Sequence, residues 1–110
     1  MIKGPVNKAN IQKVKALDGI YRKTMAYNDS VMLCYFDLEK NAEIPLHDHD
    51  SHQIGYIVSG KIQFITETRG DFLAQEGDSY VFDSREKHGA RVLETAEVIE
   101  VFCPMRDEYK

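Results

Sequence analysis

Leu46-His47-Asp48-His49-Asp50-Ser51-His52-Gln53-Ile54-Gly55-Tyr56-Ile57-Val58-Ser59-Gly60 is the stretch on which the fold reading turns. It holds three of the chain's four histidines, then an apolar run, then a pair of turn residues. Side chains alternate faces along a strand, so His47 and His49 fall on the same side. Two neutral imidazoles placed together can share a cation. Imidazole suits Zn, Fe, Ni or Cu, and added oxygen ligands widen the choice to Mn. Beside Asp48 and Asp50 the same pair also fits a charged surface loop, so these residues alone leave the matter open.

On either side of this stretch the chain keeps one rhythm. Runs rich in Val, Ile, Tyr and Phe are broken by turn residues about every ten positions, the pattern of an all-β sandwich or barrel. The runs read as 11–16, 20–27, 31–38, 43–47, 53–58, 61–67, 72–75, 79–82, 88–93 and 96–103. Asn28-Asp29-Ser30, Lys40-Asn41, Ser59-Gly60, Arg69-Gly70, Glu76-Gly77-Asp78 and Asp83-Ser84 separate them with residues that pre-form turns or accept positive φ. Lys61–Glu67 and Asp71–Gln75 around Arg69-Gly70 read as a hairpin. No 3.6-residue periodicity marks a helix; only the first ten residues and the tail from Met105 read as irregular or partly helical.

A chain of 110 residues fits one domain with one core, so residues 1–110 are expected to form a single unit. A net charge of −4 with scattered Lys and Arg argues against a nucleic-acid or anionic-membrane surface. No apolar stretch approaches membrane-spanning length and no secretory pattern opens the chain, so the expected location is cytoplasmic. Cys34 and Cys103 each sit in an apolar run and are expected to be reduced, buried and poorly reactive.

The quoted stretch resembles the first motif of the cupin superfamily: Gly, five residues, H-x-H, three or four residues, Glu or Gln, six residues, Gly. Here His47 and His49 are followed after three residues by Gln53 and after six more by Gly60. The second motif, Gly, five residues, Pro-x-Gly, two residues, His, is matched by Gly77 and His88. Asn41 replaces the leading Gly, while Asp83 and Arg85 replace the Pro and Gly of the second turn. The resemblance covers roughly residues 30–104. It implies a jelly-roll barrel of two packed antiparallel sheets, and one divalent metal ion (Zn, Ni, Mn or Fe) held by His47, His49, Gln53 and His88. By strand parity His52 is left at the rim, and Asp48 and Asp50 face solvent.

In the last run Val98, Glu100 and Phe102 share one face, and Ile99, Val101 and Cys103 share the other. A carboxylate among hydrophobes is costly unless it is paired or opens into a wet cavity. Glu100 therefore either faces water from an edge strand or projects into the barrel mouth. The tail Glu100-Val101-Phe102-Cys103-Pro104-Met105-Arg106 resembles small cupins of the KdgF type, from pectin and alginate degradation. Those proteins ketonise 4,5-unsaturated monouronates and carry Asp-x-Phe-x-x-x-Arg after the last strand. Here the carboxylate is one methylene longer. The resemblance implies Glu100 and Arg106 as catalytic residues, and Phe102 with Arg106 as contacts to a small carboxylated substrate. Other readings of the same fold are a non-catalytic metal or small-ligand module and an Fe(II) dioxygenase. Alternating Val, Ile and Tyr near the N-terminus favour pairing with a second copy, so a homodimer is expected.

Overall fold

The computed structural model describes residues 1–110. Eight strands form in chain order: β1 (Val14–Leu17), β2 (Ile20–Tyr27), β3 (Met32–Leu38), β4 (Glu43–His47), β5 (His52–Thr66), β6 (Phe72–Gln75), β7 (Ser79–Phe82) and β8 (His88–Cys103). Single 3₁₀ turns at Lys8–Asn10 and Asp107–Tyr109 are the only helical pieces, as the two irregular ends of the sequence led us to expect. No helix is long and apolar enough to cross a membrane. All pairings between named strands are antiparallel, and the expected all-β jelly roll is the observed architecture.

Two long strands form the spine. β5 and β8 pair along nearly their whole length, from His52↔Cys103 to Thr66↔His88. Near His52 they are flanked by β7 and β3; near Thr66 they are flanked by β6 and β4. β2 and β1 extend the β3 side. The sheet thus folds over on itself, and the fold line lies where the β5–β8 register shifts between Ile57 and Ile62. Extra residues in a ladder bend the strand and strengthen its twist. The sequence reading cut this spine at Ser59-Gly60 and again near Glu94, treating the fold line as two turns. Both are bends inside continuous strands.

Gly60 is what permits the close crossing. Its φ is 92°, and a Cβ there would stand 2.4 Å from the Thr95 carbonyl oxygen. The interior is filled by inward residues of both layers, including Met32, Cys34, Ile57, Ile62, Phe82, Val92 and Phe102, all essentially inaccessible. Phe64, Phe72, Tyr80 and Phe82 form an aromatic cluster, with Phe82 stacked on His88 at 4.2 Å between ring centroids.

Candidate metal centre

β4 and β8 bring His47 and His88 directly opposite each other. β4 ends at His47, so His49 belongs to the following loop. That loop is held by Arg85, whose backbone N–H donates to the His49 carbonyl at 2.8 Å. Arg85 takes the left-handed conformation, φ 64°, at the place where the motif has glycine, so the turn keeps its shape without the residue. Its guanidinium bridges Asp48 and Asp50 at 2.8 and 2.6 Å, which corrects the expectation that both carboxylates are merely solvated. Asn41 likewise adopts φ 73° in place of the other motif glycine.

Each of the three clustered imidazoles has Nδ1 against a backbone carbonyl: His47 on Pro45 at 2.9 Å, His49 on Ser51 at 2.8 Å and His88 on Glu86 at 2.8 Å. A carbonyl only accepts, so Nδ1 carries the proton and Nε2 presents a lone pair. The Gln53 Oε1 lies 3.0 Å from His49 Nε2 and 3.2 Å from His88 Nε2. Its orientation follows from the other end of the amide, where Gln53 Nε2 donates to Glu100 Oε2 at 2.5 Å. The ligating atoms of His47, His49 and His88 lie within 4.8 Å of one another. Lone pairs of three imidazoles and one amide oxygen therefore converge with no donor among them. That donor set fits a divalent cation of the borderline type, with the Nδ1 partners fixing ring orientation. Burial pushes the His88 imidazole down to about 4. It also lowers His49, helped by the Arg106 charge. Both rings stay neutral, as ligation requires.

Glu100 is buried in the middle of the sheet, between β3 and β5. The edge-strand alternative for it is excluded. Its Oε2 accepts from Gln53 and from the Tyr80 hydroxyl at 2.6 Å. Burial pushes the carboxyl above its ordinary range, while Tyr80, Gln53 and the Arg106 charge pull against that rise. Tyr80 escaped the sequence reading. Strand parity places it on the inner face, but only the β5–β7 register, Gly55↔Tyr80, puts its ring over a glycine. A Cβ at residue 55 would lie 2.3 Å from the Tyr80 ring.

His47, Gln53, His88, Glu100, Phe102 and Arg106 line one cavity, and most of the other residues around it are apolar. Phe102 is fully buried with its ring edge-on to His49 at 5.9 Å. Arg106 donates through Nε to Glu108 at 2.7 Å and through Nη1 to the Tyr109 hydroxyl at 2.9 Å. His52 is exposed and accepts from the Ser84 N–H through Nδ1, away from the cluster. Cys103 is exposed on the outer face, against the expectation of burial; Cys34 is buried.

Known proteins are similar to this chain in sequence and in fold. The family model described as the cupin domain matches residues 34–103. The pectin degradation protein KdgF of Dickeya dadantii (strain 3937) is 34% identical over 94 residues, covering 84% of each chain. Among solved structures, KdgF from Halomonas sp. is 28% identical with a TM-score of 0.87, over 94% of this chain and 96% of that one. An RmlC-like cupin from Shewanella frigidimarina NCIMB 400 superposes with a TM-score of 0.89 at 22% identity, over 96% of this chain and 94% of that one. The histidine cluster inside a folded-over antiparallel sheet and a family match over most of the chain lead to one assignment: this protein belongs to the cupin family.

Proposed function

We propose that the protein is a metal-dependent enzyme that ketonises a small unsaturated sugar acid, in the manner its kinship with pectin-degradation cupins implies. The observation that carries this reading is the hydrogen-bonded chain Tyr80–Glu100–Gln53, which ties a buried carboxyl to the amide that faces the histidine cluster. Orienting the Gln53 amide would serve a binding module as well, but it uses only Oε2; the oxygen left without a hydrogen bond is what an acid–base role adds. His47, His49, Gln53 and His88 would hold the ion, which supplies Lewis acidity toward vicinal substrate oxygens.

Ketonisation of an enolic double bond adds a proton at carbon and removes one from oxygen. Glu100 can serve both ends, because Tyr80 and Gln53 occupy Oε2 and no hydrogen bond holds Oε1. Burial raises its proton affinity above that of a free carboxylate, the direction an acid–base role calls for. Arg106 forks the substrate carboxylate, and Phe102 gives the sugar ring an apolar wall. The proposal extends to assembly, with two copies pairing through the outer face of the sheet.

The test is turnover of an unsaturated monouronate by protein loaded with Zn, Ni, Mn or Fe. Glu100→Gln is expected to keep metal content near stoichiometric while turnover falls roughly 10²–10⁴-fold, the usual worth of a positioned acid–base group. His47→Ala and His88→Ala are expected to lose the metal. Wild-type protein without turnover under any of the four metals would end the enzymatic reading.

A further inference from the structure

Arg22 stands on the inner face of β2, opposite Phe36, on the same face as Ile20 and Thr24. Its side chain makes no hydrogen bond to any protein acceptor and no ion pair. Its Nε is the one buried side-chain nitrogen or oxygen in the molecule without a partner. Leaving such a group unpaired is costly, and a charged one more so. What it touches is the ring of Tyr109, whose centroid lies 4.1 Å from the Arg22 guanidinium carbon. The Arg106 guanidinium carbon lies at the same 4.1 Å from that ring. Two guanidinium groups therefore pack against one phenol ring.

Tyr109 packs against the core, and its backbone N–H donates to the Arg106 carbonyl at 3.0 Å. Thr24 Oγ1 donates to its carbonyl, Arg106 donates to its hydroxyl, and its ring packs edge-on to Phe102 at 5.4 Å. It lines the same cavity as Glu100 and Arg106; Arg22 lies behind it, next to Ile20 and Phe36, which also line that cavity. An oxyanion in the place of the ring would come within reach of both guanidinium groups at once. Two arginines on one carboxylate or phosphate supply the charge-assisted pairing that neither ring contact replaces.

We propose that Arg22 is a second oxyanion anchor, paired with Arg106 and masked by Tyr109 until an anionic ligand displaces the ring. This deepens the proposed function and rests on it for the cavity the substrate enters. The two fail separately. Absence of turnover ends the ketonisation reading, whereas the anchor is judged by binding alone.

Calorimetric titration of the protein as isolated with D-galacturonate, inorganic phosphate and neutral D-galactose provides the test. Galacturonate or phosphate is expected to bind and to shift the Arg22 Nε–Hε signal in ¹⁵N spectra; which of the two does so identifies the oxyanion. Arg22→Gln is expected to weaken that anion roughly tenfold with galactose unaffected. Tyr109→Ala, which unmasks both cations, is expected to tighten it, and it keeps the proposal testable should Arg22→Gln fail to fold. No binding of either anion, an unchanged affinity in Arg22→Gln, or a weaker one in Tyr109→Ala would make Arg22 a structural brace and overturn the proposal.

Discussion

Cys34 and Cys103 lie on paired strands yet meet opposite environments, because one shares the inward parity of Glu100 and the other does not. Burial pushes the Cys34 thiol up to about 11, so at pH 8 only about one molecule in a thousand carries its thiolate. Native protein treated with a soluble thiol reagent is expected to lose one thiol quickly, Cys103, and the second only on unfolding. Mass mapping of the labelled peptides checks this, and early labelling of Cys34 would contradict it. The sequence reading put Cys103 on the face opposite Glu100, as the register does, and assigned Cys34 no face. It went wrong in taking an apolar outer face for a buried one, since Ile99 and Val101 on that face remain half-exposed. His88 gives the pH counterpart. Its folded value near 4 lies below that of an unfolded chain, so between about pH 6.5 and 4 the unfolded state binds more protons. Stability of the metal-free protein should therefore fall as pH drops through that window. Glu100, raised by burial, acts with the opposite sign, so urea midpoints at pH 7 and pH 5 are compared in Glu100→Gln. They are expected to fall with pH, and equal midpoints there would show that the ring is not buried neutral.

At the scale of elements, the strand runs and the spacing of the clustered histidines were legible because both are local. A period of two and a motif spacing need no knowledge of partners. The fold line was not legible, since Ser59-Gly60 has the composition of a hairpin turn and only the pairing on either side of it, Ser59 with Glu97 and Lys61 with Glu94 on β8, marks it as a bend. The same limit hid Tyr80, whose role comes from a cross-strand register, and Arg22, whose neighbour Tyr109 lies 87 positions away in the chain. Gly60 and Gly77 separate these effects experimentally. Both have φ near 90°, but a Cβ at Gly77 meets nothing within 4 Å, whereas one at Gly60 strikes the β8 backbone. Gly77→Ala is expected to cost about 1–2 kcal/mol from backbone conformation alone. Gly60→Ala should cost about 1–3 kcal/mol beyond that from the clash. Equal losses in denaturant titrations would mean the fold line is looser than the crossing implies.

For the molecule as a whole, the unexplained surface is the outer face of the layer that carries the site. Register aligns Val81, Ile54, Val101 and Leu33 in one row across β7, β5, β8 and β3, and Ser79, Tyr56, Ile99 and Tyr35 in the next. Ile54, Tyr56 and Val81 are each about half exposed, at 53%, 45% and 45%. Apolar rows left exposed side by side are the kind of surface that a partner covers. β1 adds an exposed edge strand whose free backbone groups can pair with another chain. A second copy meets both requirements at once, because a two-fold axis sets identical rows against each other. Wild-type protein is therefore expected to run as a dimer in light scattering at micromolar concentration. Tyr56→Lys with Val81→Lys should give a monomer. Both positions point away from the histidine cluster, so metal content should be unchanged in that monomer. A wild-type monomer, or a double variant that stays dimeric, would leave the apolar rows without this partner. A monomer that also loses its metal would mean that assembly braces the site, because neither substituted side chain reaches it.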